Sequence, residues 1–64
     1  MISKIINVWN KYHIPPDTLL EYVLMNEKDS EGARIFLELA VRNNPLYKNQ
    51  NVSQVTTDIQ NILK

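Results

Sequence analysis

His13 is the only histidine in the chain. An imidazole can ligate a metal or move a proton, but a metal site needs several convergent ligands and an acid–base residue needs an orienting partner. No cysteine is present to join it, which removes thiolate metal sites and disulfides alike. Its sequence neighbours Tyr12, Ile14, Pro15 and Pro16 suit a helix end or a loop, and His13 is read as such. Ser3, Ser30 and Ser53 have no flanking base that would activate a nucleophile. Ser30 and Ser53 fall at expected helix starts, where capping explains them. A single glycine, Gly32, rules out a glycine-rich phosphate loop. The carboxylates of Glu27, Asp29 and Glu31 could offer oxygen to calcium, but the EF-hand loop pattern is absent. Carboxylates near a helix N-terminus already complement its dipole. The expectation is therefore a protein that is not an enzyme, with no metal, no cofactor and no small-molecule substrate.

Charge narrows the partners. Seven Lys and Arg balance seven Asp and Glu, for a net charge of zero. Nucleic-acid binding is driven by release of counterions and asks for an excess of basic residues. The charges are unevenly placed. Lys4 and Lys11 precede an acidic stretch of Asp17, Glu21, Glu27, Asp29 and Glu31, in which only Lys28 is basic. Arg34, Arg42, Lys48 and Lys64 then outnumber Glu38 and Asp58. No apolar run approaches the ~18 residues of a membrane span, and no signal peptide is visible. A soluble, cytoplasmic protein is expected.

The elements that position these side chains are helices. Sixty-four residues suffice for one domain, residues 1–64. A chain of this size buries only about 60% of the surface exposed when unfolded, so its core is thin. Ile2, Ile5, Ile6, Trp9 and Tyr12 recur at spacings of three and four, predicting a helix over 2–12. Pro15 forces Ile14 out of the helical region, and Pro16 with Asp17 suits the first turn of a second helix over 16–26. Asp29 or Ser30 can cap a third over 31–43, with Arg42 near its end. Asn43 and Asn44 tolerate a left-handed termination, and Pro45 blocks continuation. Leu46 and Tyr47 are expected to tether the loop to the core. Asn51 caps a fourth helix over 52–63, with Gln54 placed as a capping-box partner. Strand alternation is nowhere sustained. The fold class is all-α, a compact bundle of four short helices.

The apolar arcs differ in width. On the first helix the large apolar residues span about 160°, on the fourth about 100°. On the second, Leu19, Leu20, Tyr22, Val23, Leu24 and Met25 almost encircle the axis, broken by Glu21. The third is also wide, leaving a polar strip of Arg34, Glu38 and Arg42. A helix apolar all round expects burial all round, and two such helices exceed what so small a domain encloses. Tyr22, Met25, Phe36 and Val41 are the candidate protein-binding residues, because aromatics and Met are enriched at interfaces. Trp9 is expected to be buried, anchoring the first helix.

The resulting functional expectation is a small non-catalytic helical protein acting by protein–protein interaction, as a regulator, inhibitor or adaptor. The partner is another protein or a second copy in a homodimer. So short and non-catalytic a chain suits the class of phage- or plasmid-encoded modulators that bind a larger protein. The alternative is a DNA-binding helix-turn-helix protein using helices 16–26 and 31–43. Its recognition helix would open with Asp29, Ser30 and Glu31, which phosphate repels.

Overall fold

A computed structural model describes residues 1–64. The chain is 81% helical and has no strand. Helix α1 spans Ile2–Tyr12, α2 Pro16–Lys28, α3 Ser30–Arg42 and α4 Val52–Leu63, with a single 3-10 turn at Pro45–Tyr47 between the last two. The Cα radius of gyration is 10.6 Å, against about 10.7 Å expected for a compact domain of this length.

The connections show why each helix stops. At the end of α1, His13 adopts φ 60° and ψ 32°, and its N–H bonds back to the Trp9 carbonyl at 2.9 Å. This left-handed cap usually falls to glycine or asparagine. Asn44 Nδ2 donates to the His13 carbonyl at 3.1 Å, pinning the turn from the far side of the chain. Ile14, extended before Pro15, drives its side chain into the core and is 1% exposed. Pro16 then opens α2 with Asp17 in its first turn.

α2 continues two residues past the expected Asn26, and Asp29 alone separates it from α3. Asp29 serves both helices. Its N–H bonds to the Met25 carbonyl at 2.8 Å, while its carboxylate accepts from the Gly32 N–H at 2.9 Å. A Cβ at Gly32 would collide with that carboxylate, so the one glycine in the chain makes room for the cap.

Asn43 and Asn44 do not take the expected left-handed conformation; their φ angles are −78° and −83°. Asn44 instead turns the chain by accepting the Leu46 N–H on its side chain at 3.0 Å. Asn51 caps α4 by accepting from the Gln54 N–H at 3.1 Å. The reciprocal half of a capping box is absent, because the Gln54 amide donates to Asp58 one turn along at 2.9 Å.

α2 and α3 share the most extensive contact, α4 lies against α3 and α1, and α1 touches α2 more lightly. The core comprises Ile5 and Val8 of α1, Ile14, Leu19 and Tyr22, Ala33, Leu37 and Val41 of α3, and Ile59 and Leu63 of α4. Thr56 is also fully buried, its hydroxyl donating to the Val52 carbonyl at 2.8 Å. Tyr47 packs on this core as expected and donates its hydroxyl to the Tyr12 carbonyl at 2.7 Å. Leu46 does not; it stands 58% exposed.

Candidate interaction surface

The structure places the four residues expected from sequence to bind protein, Tyr22, Met25, Phe36 and Val41, in or against the core of the single chain. Tyr22 and Val41 belong to the core, with Val41 wholly inaccessible. Met25 and Phe36 are half-buried and pack against the core. The physical reason is rotational phase. On α3, Ala33, Leu37 and Val41 are four apart and form the inward row, while Ile35 and Leu39 stay exposed. On α2, Leu19 and Tyr22 point inward, leaving Leu20 and Leu24 outside. A ring of apolar residues does not say which arc faces the core, so the expected surplus exists but sits on other residues.

Trp9 departs from its expected burial. It is 40% exposed and sets its ring edge-on to His13, with centroids 6.1 Å apart and planes at 79°. The wide apolar arc of α1 divides lengthwise. Val8, Ile5 and the half-buried Tyr12 form its inner edge, while Ile2, Ile6 and Trp9 form an outer stripe in contact with water. An arc of about 160° exceeds the roughly 100° that faces a core. That excess was the signal in the sequence for an exposed stripe on α1.

The outer stripe borders a groove between the start of α1 and the start of α2. Its volume is about 480 Å³, and Met1, Ile2, Ile5, Ile6, Pro16, Asp17 and Leu20 line it. Ile5 forms a buried floor, while Ile2, Ile6 and Leu20 are exposed walls. Asp17 is the only lining residue with a charged side chain, and Met1 brings the α-amino group to the same groove.

The face formed by α3 and α4 is polar. Arg34 binds Glu38 through Nε at 3.0 Å, Gln60 Oε1 through Nη1 at 2.5 Å, and the Ser53 carbonyl and hydroxyl through Nη2, both at 3.2 Å. Gln60 in turn donates to the Tyr22 hydroxyl at 3.1 Å. A second cleft of about 530 Å³ adjoins this network, bordered by Val23, Asn26, Glu27, Thr57 and Asn61 among others. No buried side-chain nitrogen or oxygen lacks a partner. No buried polar side-chain atom of the cleft is left unpartnered.

Arg34 is consumed by these contacts, which leaves Arg42 as the one cation of α3 without an ion pair. No three His, Cys, Asp or Glu residues converge in a way that could hold a metal ion. His13 is a helix cap whose ring sits edge-on to Trp9. No helix is long and apolar enough to cross a membrane. The chain matches no protein-family model, no curated protein and no solved structure.

Proposed function

We propose that this protein works without catalysis, by protein–protein contact, as a regulator, inhibitor or adaptor acting in the cytoplasm. One observation carries the reading: Ile2, Ile6 and Trp9 lie exposed along one side of α1 and continue across the groove to Leu20. Soluble domains rarely leave contiguous large apolar side chains in water unless something covers them. Full burial of such a side chain is worth roughly 1.5–3 kcal/mol. These residues are already about half covered, and association costs rotational and translational freedom. A partner must therefore engage several of them together.

The DNA-binding alternative gains no support. The start of α3 is acidic, Arg34 is tied to α4, and the net charge is zero.

The test is a pull-down from host extract with the wild-type chain beside Ile6→Ser and Leu20→Ser, each checked for helicity and thermal midpoint. A protein held by the wild type and lost from both folded variants supports a contact role. Identical recoveries from all three chains would overturn it.

A further inference from the structure

The groove between α1 and α2 has an asymmetric rim, and the asymmetry says what kind of partner it takes. On the α2 side, Asp17 lines the groove and Glu21 follows one turn later on the same flank, both exposed. On α1, the positions next outward from Ile2, Ile6 and Trp9 are Ser3, Asn7 and Asn10, all exposed and uncharged. The two cations of α1 are placed elsewhere. Lys4 donates to the Lys64 backbone oxygen at 2.5 Å, and Lys11 sits 5.5 Å from the centroid of the Tyr12 ring. The groove thus joins an apolar floor to an acidic edge whose carboxylates form no ion pair within this chain, the α-amino group of Met1 at the groove's other end included.

The apolar spacing is also informative. Ile2, Ile6 and Trp9 follow one another at four and three residues. That interval presents a straight row to a neighbouring helix, whose own anchors then fall at i, i+3 or i+4, and i+7. From Ile2 to Trp9 the row rises about 10 Å at 1.5 Å per residue, so a helix of two to three turns covers it.

We propose, building on the protein–protein reading above, that the α1–α2 groove receives an amphipathic helix of a partner protein, with apolar anchors on one face and Lys or Arg along one flank. The apolar face seats on Ile2, Ile6, Trp9 and Leu20, and the basic flank lies over Asp17 and Glu21. A second copy of this chain fits the same groove poorly. Its matching face carries the same carboxylates and uncharged polar residues, so across a twofold axis Asp17 and Glu21 would find no lysine or arginine side chain.

The test uses two fluorescein-labelled 14-residue peptides with identical leucine anchors at i, i+4 and i+7, one flanked by lysines and the other by glutamates. Fluorescence anisotropy at low salt should show the lysine peptide binding at least about tenfold more tightly, equivalent to about 1.4 kcal/mol. The Asp17→Asn, Glu21→Gln double variant should bring the two peptides to equal affinity. Ile6→Ser, or Leu20→Ser if the first fails to fold, should weaken both. Equal wild-type affinity for the two peptides, or a lysine preference that survives in the double variant, would overturn the basic-helix inference and leave the apolar-contact reading standing. Sedimentation showing a dimer that Ile6→Ser dissolves would assign the groove to a second copy and overturn the inference likewise. If neither peptide binds and no self-association occurs, the inference fails. The wider contact reading then stands or falls on the extract pull-down.

Discussion

The two sides of the molecule solve the same problem in different ways. Where α4 meets α3, the polar residues between the helices are used up by one another. Arg34 reaches Glu38, Gln60 and Ser53, and Gln60 passes the network on to Tyr22. Where α1 meets α2, the contact is lighter, and the apolar residues that could have met across it remain in water as Ile2, Ile6 and Leu20. A thin core can satisfy its polar groups completely and still fail to cover its apolar ones. Hydrogen bonds saturate with a few partners, whereas apolar cover requires surface area, which a chain of this length lacks.

The largest contrast expected between the two sides is in stability. Leu37 is wholly buried between the helices and Leu20 is 48% exposed on the groove wall. Leu37→Ala should cost about 2–5 kcal/mol, a large share of what so small a domain possesses. Leu20→Ala should cost under about 1 kcal/mol, as expected of a surface position. Urea unfolding followed by circular dichroism measures both. Similar losses at the two positions would mean that the groove is part of the core and not a docking face.

The next effect concerns the polar side. Arg34→Ala leaves Gln60 without its guanidinium partner in a half-buried setting and should cost about 1–3 kcal/mol. Arg34→Lys keeps the charge but loses the fork that reaches Ser53 and Gln60 together, so it should recover less than half of that loss. Full recovery by lysine would reduce the network to the Arg34–Glu38 pair, whose worth as an i, i+4 bridge is a few tenths of a kcal/mol, about 0.3–0.5.

The smallest effect lies between the two sides, at the tether from Tyr47 to the end of α1. Burial, with the neighbouring Tyr12 adding to it, pushes the Tyr47 phenol above its ordinary value near 10.0. The neutral phenol is thus favoured in the folded chain. Its contribution is fully present below pH 10 and is lost as pH rises through the raised folded value, because a phenolate cannot donate to the Tyr12 carbonyl. Tyr47→Phe should cost about 1 kcal/mol at neutral pH. It should also flatten the fall in thermal midpoint above pH 10 relative to wild type. An unchanged alkaline slope would mean that the tether contributes little.

Much of the fold was legible in order of residues alone. Proline and the capping side chains delimit the helices: Pro15 and Pro16 between α1 and α2, Asp29 before α3, Pro45 after it, and Asn51 before α4. Each of these acts on its own backbone or on groups within three or four residues, and local chemistry of that kind is written in sequence. The exposed stripe of α1 was half legible, since an arc as wide as Val8 to Ile6 cannot all face one core. That Tyr22 and Val41 turn inward was not legible, because α2 and α3 are apolar on so many sides that their rotation about the helix axis has no local determinant. That rotation is settled by which neighbours pack where: Leu19 and Tyr22 turn toward the core, and Leu20 turns toward the groove. The same holds for His13, whose left-handed turn is held by Asn44 from thirty-one residues away. The sequence by itself determined four helices and their ends, because caps and proline act locally. Only the tertiary structure decided which apolar face stays in water, because the core covers one arc of each helix and the choice of arc is made between helices, not within them.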